Sequence, residues 1–387
     1  MKLSVMRETH PGETRVALTP ANISTLTGLG CAVYVETGAG DAAGFPDASY
    51  RDAGAEILTA RAQLLEKGEI ILCVDAAHDA ALADLREGHI CIGMMDPLSD
   101  ADRFLELAER GITSVALELV PRISRAQSMD ALSSIATLAG YKAVLLAACQ
   151  APRIFPMMMT AAGTLNPSRV FIMGAGVAGL QAAATAKRLG AIVEAYDVRP
   201  AARDQILSVG AKPVELDLDT SSSEGQGGYA SEQDDDFLQR QREQMTQVLA
   251  QQDVVVTTAA IPGAKAPVLI TEEMVKGMKP GAVIVDLAAE RGGNCELSRP
   301  GETVTAYGVS IIGPRNIVAS MPHHASQMYG RNVENLLRHL LDDEGKLTLD
   351  FEDEIVDETV VTHAGEVRAA RIRERLSMEP TREEETA

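Results

Sequence analysis

Three glycines, Gly174, Gly176 and Gly179, stand in the stretch RVFIMGAGVAGLQAAATAKRLGAIVEAYD, straight after an apolar run and straight before an alanine-rich one. That G-x-G-x-x-G spacing suits one task, holding a pyrophosphate. The first glycine permits a tight turn, the second lets backbone approach the phosphates, and the third allows close helix–strand packing. From Val177 onward the helix N-terminus adds N–H donors and a favourable dipole. Asp197 ends the following strand, 23 residues after Gly174. A carboxylate there accepts hydrogen bonds from the adenosine ribose hydroxyls, which favours NAD over NADP. A ribose 2′-phosphate ~4 Å from it would cost up to about 4 kcal/mol per charge pair at an effective dielectric near 20. Arg199 and Arg203 argue the other way, because nearby arginine is how such folds accept a 2′-phosphate. The strand-end position of Asp197 carries more weight.

A second polar cluster, RISRAQSMD over residues 122–130, follows the apolar run ITSVALELV. Arg122 can reach a phosphate or a carboxamide, and Asp130 can fix that arginine through a charge-assisted hydrogen bond. Gln127 offers donor and acceptor to an amide-bearing ring. A salt-bridged surface loop is the other reading of the same residues.

The elements that must position these groups are legible as alternation. KLSVM, AVYVETGAG, EIILCV and ITSVALELV read as strands, with helical patterns such as PANISTLTGLG, ARAQLLEKG and DADRFLELAERG between them. This is the rhythm of βαβ units on a parallel sheet. Thr19-Pro20 reads as a cap and a first-turn proline, and LTGLG as a helix ending on a C-cap glycine. Residues 131–150 are nearly continuously apolar and predict a long buried helix bridging two domains. PRIFPMMMTAAGTLNPS is irregular, and a second alternation then runs through RVFIMGA, IVEAYDV, DVVVTTA, AVIVDLA and VSIIG, the order expected of a nucleotide-binding sheet. Residues 217–236 are rich in Ser, Gly and acid and read as a mobile loop. HHASQMYGRNVENLLRHLL reads as a helix, and EPTREEETA as a frayed tail.

Length and composition bound the rest. At 387 residues the chain calls for two domains. With 46% hydrophobic and 23% charged residues it is a globular composition, and with 3% aromatics and no Trp the packing relies on aliphatics and fifteen methionines. A net charge of −20 would repel nucleic acid and anionic membrane surfaces. The cysteines Cys31, Cys73, Cys91, Cys149 and Cys295 show no metal-type spacing and are expected to be reduced and mostly buried. The adjacent His323 and His324 suit no helical metal pair, so no metal is expected. With no signal-peptide core and no run of ~18 apolar residues, the expected location is the cytoplasm.

RETHPGETRVALTP, RISRAQSMD, GAGVAGLQAAATAKRLGA, TTAAIPGAKAPVLITEEMV and LAAERGGNCE together resemble the NAD(H)-binding alpha subunit of proton-translocating nicotinamide nucleotide transhydrogenase, which is related in fold to alanine dehydrogenase. The likeness covers about residues 1–340, and RISRAQSMD is its most specific element. It implies two Rossmann-like domains with parallel sheets, joined by long helices, with NAD in the interdomain cleft. The N-terminal domain would comprise residues 1–130 plus 325–387, and the NAD-binding domain residues 131–324. It further implies NADH bound here, direct hydride transfer to NADP⁺ on a separate NADP(H)-binding component, and membrane subunits that couple the exchange to protons. The chain would be the split-gene form, a homodimer peripheral to the inner membrane through its partners.

The resemblance assigns Arg122, Gln127, Asp130 and Ser133 to the nicotinamide end, and Asp197, Val198 and Arg199 to the adenosine side. Thr258, Ala259 and Ala260 would flank the ring and ribose, and Gly228 and Tyr229 would belong to a loop folding over the nucleotide. Hydride transfer between two nicotinamides needs alignment and dryness but no general base. Amino-acid oxidation needs one, and the dehydrogenases of this fold carry a lysine after an early strand and a histidine after the next. The matching stretches, ILCVDAAHDA and CIGMMDPLSD, have neither residue at the strand end. His78 reads as a solvated loop histidine, and Arg15 and Asp286 match dehydrogenase positions but read as structural. An amino-acid dehydrogenase and a non-catalytic NAD-responsive subunit remain the alternatives.

Overall fold

The computed structural model describes residues 1–78, 80–217, 235–261, 263–342 and 346–378. In chain order the strands are β1 (Lys2–Val5), β2 (Ala32–Glu36), β3 (Glu56–Leu58), β4 (Ile70–Asp75), β5 (Ile90–Met94) and β6 (Thr113–Ala116). Next come β7 (Met158–Thr160), β8 (Gly163–Leu165), β9 (Arg169–Met173), β10 (Ile192–Tyr196), β11 (Lys212–Pro213) and β12 (Val254–Thr257). The last are β13 (Val283–Asp286), β14 (Glu302–Ala306), β15 (Val309–Gly313), β16 (Val360–His363) and β17 (Glu366–Val367). The chain divides into two compact units, Met1–Ile135 with Val318–Ala387, and Ala136–Ile317.

In the first unit an eight-stranded sheet runs in the order β17-β16-β6-β5-β4-β1-β2-β3. β1 to β6 are mutually parallel, and β16 and β17 add an antiparallel edge. Alternate residues of each strand enter different cores. Ile70, Leu72 and Val74 join one cluster while Ile71 and Cys73 join the other, so both faces are covered and the strands read as unbroken apolar runs. Helix Pro20–Gly28 starts at Thr19, whose N–H and hydroxyl both donate to Asn22 Oδ1. It stops before Gly30, which takes φ +84°. Helix Pro322–His339 returns Tyr329, Val333, Leu336 and Leu337 to the first of these cores.

The second unit holds a seven-stranded sheet in the order β11-β10-β9-β12-β13-β15-β14, parallel except for β14. Val170 and Ile172 of β9 face one core, and Phe171 and Met173 face the other. Two expectations need correction here. PRIFPMMMTAAGTLNPS contains a hairpin, β7 with β8, which turns through Gly163 at φ +133° and exposes all six strand residues. The helix over Ala131–Gln150 exists, but it is not buried. Ala139, Ala143, Val144 and Ala147 are covered, Tyr141 and Cys149 are exposed, and much of the remainder is half-buried. Its composition is apolar all round, whereas the packing within the units covers a stripe. By length and composition it is the one helix among the described residues that could cross a membrane, although Ser133, Ser134, Thr137 and Lys142 interrupt any continuous apolar run. Of the five thiols, only Cys149 is exposed.

Candidate functional site

In the second unit the chain leaves β9 to one side through β10 and β11 and later builds the other side through β12, β13 and β15. The order reverses between β9 and β12, and a crevice outside their carboxyl ends is where doubly wound sheets bind ligands. Gly174 follows β9 there and Thr258 follows β12. The two ends are tied together: Thr258 Oγ1 donates to the Gly174 carbonyl at 3.0 Å, and Thr258 N to the Met173 carbonyl at 2.9 Å.

The three glycines have three different surroundings. Gly174 takes φ +100°, and a Cβ on it would lie 2.6 Å from Thr258 Oγ1. A Cβ on Gly179 would lie 1.8 Å from the Gly174 carbonyl oxygen, so this residue sets how closely helix Val177–Arg188 approaches the turn. A Cβ on Gly176 would meet nothing within 4 Å. That open backbone at a helix start is the space a pyrophosphate needs, and the residues present fit the dinucleotide. Val177, the first helical residue, is exposed beside it.

Asp197, just beyond β10, takes four donors from its own chain. Its Oδ2 accepts from Ala175 N at 2.7 Å and Arg199 Nη2 at 2.8 Å, and its Oδ1 accepts from Arg199 N at 2.9 Å and Nε at 2.8 Å. Arg203 pairs instead with the exposed Glu215. Val198 packs half-buried on the core behind β10.

Beyond β12, Ala259 is held by a residue that sequence reasoning did not single out. Asn294 Oδ1 accepts from Ala259 N at 3.0 Å, while its Nδ2 donates to the carbonyls of Ala259 and Pro267, both at 2.9 Å. One side chain thus imitates a neighbouring strand. The signal was present in ERGGNCE: Gly292 and Gly293 take φ +96° and +80°, a turn that delivers the asparagine. Ala260 is exposed. Asp286 is fully buried and accepts from Thr257 Oγ1, Ala288 N, Cys295 N and Ser298 Oγ, which makes it the organiser of that turn. Burial pushes the Cys295 thiol up to about 11, so it stays protonated at neutral pH. Gly228 and Tyr229 lie outside the described residues.

In the first unit, Ser124–Met129 forms a short 3₁₀ turn seated on Ala126 and Met129. Asn332 and Asn335 anchor it by donating to the Ser128 carbonyl at 2.9 and 3.1 Å, and Arg125 bonds Asp353 at 2.7 Å. Gln127 is exposed on this turn, and Arg122 is exposed just before it. Asp130 accepts from Ser133 N at 2.8 Å and Ser133 Oγ at 2.5 Å, capping the helix that begins at Ala131.

The groups that would handle an amino acid are absorbed internally. Arg15, 7% exposed, gives Nε and Nη2 to Glu13 at 2.8 and 2.6 Å. The Glu8 carboxylate accepts from Val74 N at 2.6 Å and Asp75 N at 3.2 Å, closing the end of β4. Glu118 accepts from Met95 N at 2.7 Å and from Asp96 N, closing the end of β5. Burial raises the Glu118 carboxyl to about 7, and its Oε2 finds no hydrogen-bond partner among the described residues. The His78 side chain is largely exposed and pairs with Asp75 at 2.9 Å.

The chain matches the alanine dehydrogenase/PNT N-terminal domain over residues 4–139 and the alanine dehydrogenase/PNT C-terminal domain over residues 143–370. It is 46% identical over 374 residues to an NAD(P) transhydrogenase subunit alpha chain of Rhodospirillum rubrum, covering 95% of this chain and 97% of that one. Alanine dehydrogenase of Bacillus subtilis is 30% identical over 299 residues, covering 76% and 72%. The crystal structure of transhydrogenase from Sinorhizobium meliloti superposes with a TM-score of 0.85 at 42% identity, covering 95% of this chain and all of that one.

Proposed function

Because the chain belongs to the alanine dehydrogenase/PNT family, and within it to the transhydrogenase alpha chains, we propose that it binds NAD(H) on its second unit as a component of an NAD(P) transhydrogenase. In this reading NADH held here gives its hydride directly to NADP⁺ on a partner component, and membrane subunits couple the exchange to proton movement. The chain would act only with those partners, as a homodimer attached peripherally to the cytoplasmic face of the membrane through them. The observation that carries the reading is the glycine crevice at β9 and β12, with open space at Gly176.

When bound, the nicotinamide cofactor supplies the hydride, and the chain's role is to place it. Gly174, Gly176, Val177 and Gly179 receive the pyrophosphate, and Asp197, Val198 and Arg199 the adenosine ribose. Thr258, Ala259 and Ala260 support the nicotinamide ribose, with Asn294 fixing the backbone of Ala259. Gly228 and Tyr229 are assigned to cover the nucleotide. Arg122 and Gln127 are exposed donors suited to the carboxamide, and Asp130 with Ser133 fixes the helix end beside them. No proton leaves the substrate in this reaction, which accords with Arg15 being paired with Glu13 and with strand ends closed by glutamates.

The test is hydride exchange on mixing the purified chain with an NADP(H)-binding transhydrogenase component, using an NAD analogue as acceptor. Exchange is expected, with no NAD reduction driven by alanine. Gln127→Ala should slow exchange by tenfold or more while changing NADH affinity much less. Alanine-driven reduction by this chain alone would overturn the reading. NADH binding without exchange would instead identify a non-catalytic NAD-responsive subunit.

A further inference from the structure

Gln127 sits in a turn whose other residues are held more firmly than a surface loop requires. Within Ser124–Met129, Ala126 and Met129 are buried in a core of the first unit. Arg125 Nη1 bonds Asp353 Oδ2 at 2.7 Å, and the Ser128 carbonyl accepts from Asn332 Nδ2 at 2.9 Å and Asn335 Nδ2 at 3.1 Å. The chain is therefore fixed on both sides of Gln127, whose side chain is exposed between the anchors.

Asp353 is itself fixed. Its Oδ1 accepts from Ile355 N at 2.7 Å at the start of helix Glu354–Thr359, and its Oδ2 also lies 3.2 Å from His339 Nε2, at the end of helix Pro322–His339. One carboxylate thus ties the turn to both helices. Burial pushes that carboxyl up, but the bonds from Arg125 and Ile355 and the nearby His339 outweigh it and hold it below its ordinary value. Asn332, 5% exposed, leaves its Oδ1 without a hydrogen-bond partner among the described residues, a costly state inside a protein. An apolar side chain would avoid that cost but could not hold Ser128.

We infer that Arg125, Asp353, Asn332 and Asn335 are positioning residues, which set where Gln127 presents its carboxamide, and thereby the rate of hydride transfer, without touching the nucleotide. This role rests on the chain being a transhydrogenase component. Transfer between two nicotinamides depends on alignment, and a misplacement of ~1 Å can cost on the order of a hundredfold in rate. The Arg125 side chain is 50% exposed, so its ion pair adds little to stability. Its effects on rate and on stability should therefore separate, which those of a purely structural anchor would not.

The experiment measures hydride exchange with the NADP(H)-binding component at saturating NADH, together with NADH affinity and thermal midpoint. It compares wild type with Arg125→Ala, Arg125→Lys, Gln127→Ala and the double variant Arg125→Ala/Gln127→Ala. Arg125→Ala should slow exchange about tenfold, with NADH affinity changed less than about twofold and the midpoint lowered by less than about 3 °C. Arg125→Lys can still meet Asp353 and should recover exchange to within about threefold of wild type. In the Gln127→Ala background, Arg125→Ala should add less than about a twofold further loss, because the group it positions is already gone. Should Arg125→Ala fail to fold, Asn335→Ala, which gives up one bond at 3.1 Å, is read in the same way. Unchanged exchange in Arg125→Ala, a loss that multiplies with that of Gln127→Ala, or a loss matched in NADH affinity would overturn the assignment. A wild type that exchanges no hydride would instead remove the functional reading beneath it.

Discussion

The crevice between β9 and β12 ends on glycine and open space; the corresponding crevice of the first unit, between β1 and β4, ends on carboxylates. The strand orders correspond, with β3-β2-β1-β4-β5-β6 in one sheet and β11-β10-β9-β12-β13-β15 in the other. In the second unit a Cβ on Gly176 would touch nothing. In the first, Glu8 takes the Val74 and Asp75 N–H groups and Tyr329 gives its hydroxyl to the Cys73 carbonyl, so side chains close the strand end from within. The difference teaches that this topology creates a place for a ligand without creating the ligand site. Whether the place is used depends on what the residues after the strands put into it.

That contrast can be broken most forcefully at Gly179. Gly179→Val drives carbon into the Gly174 carbonyl and should cost roughly 3 kcal/mol of stability through overpacking. It should also lower NADH affinity on the order of a hundredfold, as read by equilibrium titration. The mirror experiment is Glu8→Ala, which strands the N–H groups of Val74 and Asp75 and should cost about 2–3 kcal/mol in urea melts. NADH affinity should then change less than about threefold, since the proposed cofactor site lies at the other crevice. A large affinity loss from Glu8→Ala would mean the first crevice is not a purely internal structure.

Glu118 gives a pH-dependent version of the same contrast. Burial raises its carboxyl from 4.5 to about 7, so the folded state holds a proton that the unfolded state has released across that interval. Stability from this group therefore falls as pH rises from about 4.5 to 7 and stays low above it. Glu118→Gln should remove that slope, gaining on the order of 2 kcal/mol over wild type between pH 5 and pH 8 in denaturant melts. Unchanged slopes in the two proteins would contradict the assignment. The smallest effect is expected at Arg203→Ala, whose exposed pair with Glu215 should be worth less than about 1 kcal/mol. Unlike changes at Asp197, it should leave the preference for NADH intact.

What the sequence disclosed follows the distance over which each feature acts. The glycine fingerprint is local, and its three roles follow from spacing alone. The central strands were visible because their residues enter cores on both faces, whereas β7 and β8, exposed throughout, carried no such signal. Asp197 and Arg199 were both visible as residues, but their pairing was not, because a sequence gives proximity along the chain without side-chain direction. Glu8, Glu118 and Asn294 reach partners 66, 23 and 35 positions away, contacts that exist only once the sheet order is set. Helix Ala131–Gln150 was legible as a helix, while its half-covered state was not, since an apolar composition does not say which faces find partners.

Counting NADH per chain by equilibrium dialysis tests the central claim most directly, that one crevice is built for a dinucleotide and its counterpart is closed by the chain's own side chains. One NADH per chain, lost in Gly179→Val and kept in Glu8→Ala, is the predicted result. Two per chain, or one that survives Gly179→Val and disappears in Glu8→Ala, would contradict it.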